Sequence, residues 1–437
     1  MWSCLSTLRR SVAIVAGLCL LLLGCQRRPD LTSVSVPQPK AAFSRPVFYP
    51  SPPDPPRIQY LTSINSSWDV VPEPEKRTAL AEFILGKEKE KRAAPALLRQ
   101  PYGVAAWQGK IYVCDRGAGD VRVFDLRLRK SYNLNDGVGV LGQPTNMCID
   151  SDGNKFIVES MERKIHVFGP EDDYLGTFAV KDGRPGDIAV AGDELFVTDV
   201  TGGRVLVLAR SSGKVVRTIG KRGTESGQFN IPTAIASDAD GNLYVCDQFN
   251  YRFQKLDRNG KALLTTGGVG DSYGQFSRPR GIAVGPGGVI YVVESVYEVV
   301  QMFSQKGEVL MGFGNFHAAP GYLELPAGIA IDKSCLPYFE KYIDPRFEAE
   351  YLIFVASQAG KSRLGVYAFG HLKPGAEIPA IPALKREPTT APEKQAPKTP
   401  GTPPPASLPP GSATSPSSKP ASGAPVAGKA ATPDKSR

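Results

Sequence analysis

The chain predicts an all-β, six-bladed β-propeller, a ring of six four-stranded blades, and three observations carry that prediction. Six segments open on proline: Pro101-Tyr-Gly-Val-Ala, Pro144-Thr-Asn-Met-Cys, Pro185-Gly-Asp-Ile-Ala, Pro232-Thr-Ala-Ile-Ala, Pro279-Arg-Gly-Ile-Ala and Pro326-Ala-Gly-Ile-Ala. They follow one another at spacings of 43, 41, 47, 47 and 47 residues. Within each unit the apolar runs are short, β-branched or aromatic, and separated by turn residues. A period of this length built from about four strands is the size of one propeller blade. A helical solenoid would show 3.6-residue periodicity and far less glycine.

Each unit is read in the same order. The proline-opened strand leads to a second run, "IYVCD", "FIVES", "LFVTD", "LYVCD", "IYVVE" or "IFVAS", and then to a third, "VRVF", "IHVF", "VLVL", "FQKL", "VQMF" or "LGVY". A glycine turn leads on to a fourth, as in "KALLTTGG". The sixth unit ends after its third strand near Phe369. "RIQYLTSI" (57–64) stands alone before the first unit and has the character of a fourth strand. It is expected to close the ring as the outer strand of blade six, since an open ring would leave an unpaired edge.

The pattern PxGIAVDxxGxIYVxDxxxxRIQVFDxxGK is that of NHL repeats, which units four and five resemble closely from Pro232 to Phe313. The other units resemble it more loosely, so the similarity covers about residues 57–371. It implies a six-bladed propeller around a central channel, used more often for contact between proteins than for turnover.

The flanks set the context. "MWSCLSTLRRSVAIVAGLCLLLLGC" pairs Arg9 and Arg10 with an apolar run too short to span a bilayer, which reads as an export signal over residues 1–24. Its end, Leu22-Leu23-Gly24-Cys25, resembles the lipobox of bacterial lipoproteins and implies acylation of Cys25. Several acyl chains hold a protein on a membrane without a spanning helix. Gln26 follows Cys25, which favours the outer over the inner membrane. Residues 25–56 hold nine prolines and read as a tether; residues 373–437 hold sixteen, with no aromatic, and read as a disordered tail. A segment over 73–99 containing "EKRTALAEFILGKEKEKR" reads as a short amphipathic helix.

Charge excludes one class of function. Of the net +9, the signal carries +2 and the tail +5, leaving +2 for residues 25–372. A nucleic-acid footprint needs a basic stripe on the fold. Cys114, Cys148, Cys246 and Cys335 include no CxxC pair and no CxxCH haem site. His166, His317 and His371 occupy non-equivalent positions, which argues against a zinc site.

Two candidate sites follow. The third position of each unit, Gly103, Asn146, Asp187, Ala234, Gly281 and Gly328, is expected to ring the channel mouth, with Arg184 and Arg280 in the adjoining loops. Asn146 and Asp187 are the candidate oxygen ligands there. Six-bladed lactonase relatives hold a divalent cation at that mouth, and oxygen-only ligation suits Ca²⁺. The second site is an insertion in unit six, "DKSCLPYFEKYIDPRFEAEYLIF", whose Tyr338, Phe339, Tyr342 and Phe347 either cover a blade edge or dock a partner. The recurring acids Asp115, Asp199 and Asp247 are expected to serve the turn that follows them or the arginine of their own blade. The resulting expectation is a monomeric, lipid-anchored scaffold of the bacterial envelope, without cofactor. Its partners are envelope proteins, multihaem cytochromes among the candidates. The alternative is a Ca²⁺-dependent hydrolase working at the mouth.

Overall fold

The computed structural model describes residues 46–72, 94–134, 139, 141–314 and 320–378. The signal segment, Cys25, the short helix read within 73–99 as ending at Gly86, His317 and the tail beyond 378 lie outside the described residues.

Six sheets form the six blades of a β-propeller. Blade one is β3 (Pro101–Trp107), β4 (Lys110–Asp115), β5 (Asp120–Asp125) and β6 (Lys130–Asn133). Blade two is β7 (Pro144–Ile149), β8 (Lys155–Glu159), β9 (Lys164–Phe168) and β10 (Tyr174–Ala179). Blade three is β11 (Pro185–Ala191), β12 (Glu194–Asp199), β13 (Arg204–Ala209) and β14 (Val215–Ile219). Blade four is β15 (Pro232–Ser237), β16 (Leu243–Asp247), β17 (Arg252–Leu256) and β18 (Ala262–Gly267). Blade five is β19 (Pro279–Val284), β20 (Ile290–Glu294), β21 (Val299–Phe303) and β22 (Val309–Phe313).

Blade six closes the ring. It combines β23 (Pro326–Asp332), β24 (Phe347–Ser357) and β25 (Leu364–Leu372) with β2 (Ile58–Ile64), which pairs antiparallel with β25. The expected closing strand is therefore in place. A further strand, β1 (Val47–Tyr49), pairs with β2 and makes this sheet five-stranded. It falls within the stretch read as tether. The reason is local: Phe48 and Tyr49 are both buried, so this end of the proline-rich segment has apolar surface to contribute.

Each opening proline stands at the first residue of its strand and faces the last residue of the second strand, as Pro101 faces Asp115 and Pro232 faces Asp247. Proline lacks an N–H, so a strand's first position tolerates it. The pairing register then shifts immediately after every one of the six prolines. The second strands are buried along their whole length in blades one, two, four and five, because a neighbouring blade covers each face. This is why they read as continuous apolar runs. The outer strand β18 alternates instead, half-buried and exposed, since one side meets water.

The core consists of layers between blades. Phe253, Phe276 and Phe303 fill the layer between blades four and five with ring centroids 5.1 to 6.4 Å apart. The insertion of blade six enters the layer between blades six and one, where Cys335, Phe339 and Phe347 are buried beside Val113 and Phe124. Tyr338 lies against Gly109 of blade one.

Candidate functional site: the axial mouth on the proline face

Antiparallel strand order puts the opening prolines, the turns between second and third strands, and the loops between blades on one face of the ring. The insertion and the turns between first and second strands lie on the other. The expected ring sits just inside the proline face, at the register shift. It is tight. A Cβ built on Gly103 would strike Asn146, one on Gly281 the carbonyl of Ala327, and one on Gly328 the carbonyl of Tyr102. Glycine stands there because adjacent first strands approach too closely for a side chain.

Beyond the ring lies an axial cavity of about 240 Å³. Ala106, Ile149, Val190, Ser237, Val284 and Ile331, one from each blade, line its walls. Asn146 and Asp187 form its polar end.

Asp187 is buried, and its carboxylate is occupied by the protein. Ile188 N–H donates to Oδ1 at 2.7 Å, and Ile235 N–H of blade four donates to Oδ2 at 2.9 Å. The Asn146 side chain of blade two also favours the ionised carboxylate. Burial pushes the Asp187 carboxyl up to about 7, against the opposing pull of these donors. Asn146 Oδ1 in turn accepts Met147 N–H at 3.0 Å. The pair expected to offer oxygen ligands thus joins blades two, three and four at the axis. A cation there would compete with the backbone amides already held by both Asp187 oxygens. Among the described residues, no group of three His, Cys, Asp or Glu side chains is placed to hold a metal ion.

The recurring acids are held in the same manner. Asp115 accepts the N–H groups of Arg99 and Gln100 from the loop before its own blade, and those of Gly117 and Ala118 from the turn after it. Glu294 likewise accepts from Ser277, Arg278 and Val296. Asp199 and Asp247 also meet Arg204 and Arg252 at 3.0 Å. These carboxylates fix loops. In blade six Ser357 stands at that position, and its buried hydroxyl has no hydrogen-bond partner.

The predicted arginines are not alike. Arg184 donates from Nε to Ser160 Oγ at 3.3 Å, and its backbone N–H is held by Asp199. Arg280 of blade five lies with its guanidinium 5.8 Å from the ring centroid of Tyr102 of blade one. Arg116 lies 5.0 Å from the same ring and donates to Gln143 Oε1 at 3.1 Å. The Nε atoms of Arg116 and Arg280 are buried without a hydrogen-bond partner.

Of the two readings of the insertion, its burial supports the one in which it covers a blade edge. Phe339 and Phe347 are buried, and Gln59 of the closing strand donates to the backbone carbonyl of Tyr342. Tyr338 and Tyr342 are half-buried against the same layer. An aromatic loop next to the ring's closing seam buries itself there, so this lobe covers a blade edge. His166 in β9 and His371 in β25 lie on blades two and six. Burial lowers His166, and His371 stands 3.5 Å from Glu350. Among the described residues, Cys114, Cys148, Cys246 and Cys335 are free thiols.

Sequence reasoning passed over Tyr102 and Arg116. It also passed over Met161, Phe249, Val296, Tyr297 and Leu325, which are exposed in turns and loops of the proline face. A signal was present: Tyr102 is the one aromatic at a position filled elsewhere by Thr, Gly, Arg or Ala, and Phe249 and Tyr297 are aromatics inside turns.

No family model matches the chain. Among solved structures it is similar to a streptogramin B lyase, at 15% identity and a TM-score of 0.44 over 62% of this chain and 83% of that one. It is similar to virginiamycin B lyase from Staphylococcus aureus at 17% identity and 0.43, over 61% and 80%. A protein of unknown function from Bacteroides thetaiotaomicron gives 15% identity and 0.48, over 63% and 70%.

Proposed function

We propose that this protein is a lipid-anchored scaffold of the bacterial envelope, held at the outer membrane through Cys25, that docks protein partners on its proline face. The observation that carries this reading is the composition of that face. Phe249 is 52% and Tyr297 39% exposed, with Val296, Leu325 and Met161 also uncovered, in turns where the fold requires no apolar group. Aromatic and arginine side chains dominate the energetics of protein interfaces, and Arg280, Arg116 and Arg184 stand on the same face without an acidic partner among the described residues. Multihaem cytochromes are one class of complex that such a scaffold would serve.

The test is cross-linking and affinity isolation from the host's membranes, using the full chain. Phe249→Asp/Tyr297→Asp should release a partner that wild type retains. Leu128→Asp, at an exposed site on the opposite face, should keep it. Retention by the double variant, or no partner with wild type, would overturn the reading.

A further inference from the structure

We propose that the mouth on the proline face is a receptor for an oxyanion, a carboxylate or phosphate group, built by Arg280, Tyr102 and Arg116. The site lies on the face proposed to dock a partner, but its anion binding is measured without one.

Arg280 opens β19 directly after Pro279, and its side chain reaches the Tyr102 ring two blades away. The intervening blade presents only Ala327 and Gly328 there, and Gly281 and Gly328 let the first strands of blades five, six and one close up. Small residues thus leave room for one long side chain to lie across the mouth. Stacking on an aromatic ring orients a guanidinium while leaving its N–H edge available.

That edge has no partner. Among the described residues the Arg280 side chain makes no hydrogen bond and no ion pair, while the Arg116 side chain donates only to the neutral Gln143. Two cations therefore share one ring with no counter-charge, an arrangement that Coulomb repulsion disfavours. The nearest recurring carboxylates cannot supply it. Asp115 and Glu294 each receive several backbone N–H groups and are held in their loops. The groove wants a negative charge that the described residues do not provide. The planar fork of arginine matches the geometry of carboxylate and phosphate, in a bidentate pair where the approach allows.

The test titrates the full chain, in detergent, with inorganic phosphate and with glutarate. At least one anion should bind wild type and raise its melting temperature. Arg280→Gln and Arg116→Gln should each weaken binding about tenfold, the loss of one charge-assisted contact. Arg280→Lys, which keeps the charge but not the fork, should fall between, and Tyr102→Leu should weaken binding by freeing the guanidinium. Arg222→Gln, remote from Tyr102 on the same face, should bind as wild type does. Binding of phosphate alone assigns a phosphate-bearing ligand, and of glutarate alone a carboxylate. The proposal is overturned if neither anion binds wild type, or if a folded Arg280→Gln variant binds as tightly. Partner capture by the Phe249 and Tyr297 variants is read independently of either result.

Discussion

Asp187 of blade three accepts the backbone N–H of Ile235 of blade four at 2.9 Å, while its other oxygen holds Ile188 N–H at 2.7 Å. A side chain at the axis thereby does what strand pairing cannot, since first strands of adjacent blades belong to different sheets.

Removing it should loosen the ring. Asp187→Ala leaves two buried amides without acceptors, each costing roughly 1–3 kcal/mol. A lower denaturation midpoint with an unchanged slope in urea is the expected result. Ca²⁺ should leave the melting temperature of wild type where it was. A Ca²⁺-dependent rise that Asp187→Ala abolishes would restore the hydrolase reading.

Two carboxylates should give stability opposite pH dependences. An unfolded aspartate titrates near pH ~4, and folded Asp187 near 7. Between these values the native state keeps a proton the unfolded chain has lost. Its stabilising contribution is therefore full below about pH 4 and declines as pH climbs towards 7, by at most ~1.4 kcal/mol per unit. Asp187→Asn should flatten that part of the curve. Asp172 works in the other direction. Burial would raise it, but hydrogen bonds from Lys110, Lys155 and Tyr132 prevail and hold it below the usual range. Its contribution is present above about pH 4 and is lost as pH falls further. Melting temperatures of wild type, Asp187→Asn and Asp172→Asn across pH 3 to 8 separate the two effects.

Asp172 also neutralises a lysine with no exposure to water. Lys155 Nζ stands 2.7 Å from Asp172 Oδ1 and donates to the carbonyls of Gly169 and Pro170. Lys110 approaches Oδ2 at 2.6 Å, and the hydroxyls of Tyr112 and Tyr132 complete the set. This cluster joins blades one and two. Asp172→Ala strands two lysines at that interface and should cost about 3–5 kcal/mol, the scale for breaking a buried pair. A urea midpoint close to that of wild type would show that the cluster adds little.

Ring closure should be separable from the extra strand. Deletion through Pro56 removes β1 with Phe48 and Tyr49 but leaves β2 on β25, so a monomeric, cooperatively unfolding protein is expected. Deletion through Asn65 bares the edge of β25, and association through that edge should follow. Light scattering on the two truncations distinguishes them. A monomer from the longer deletion would show that β2 is dispensable for closure.

The period of the prolines, the three-strand remainder of unit six and the isolated "RIQYLTSI" were enough to specify six blades and the way the ring closes. Those features repeat along the chain and depend on local pairing, so they can be read one unit at a time. β1 escaped because three residues among prolines carry no periodicity. Asn146 and Asp187 do line the axial cavity, yet a donor to Asp187 was invisible, because Ile235 lies 48 positions away in a different blade.

The sequence by itself determined the number of blades, their strand order and the positions that converge on the axis, since repetition maps residue spacing directly onto the ring. Only the tertiary structure decided what the converging side chains meet. It places Phe339 and Phe347 inside a seam, draws amides onto Asp187 and sets the Arg280 guanidinium beside the Tyr102 ring with no acidic partner among the described residues. Each of these is a contact between blades, whose partners follow from packing rather than from spacing along the chain.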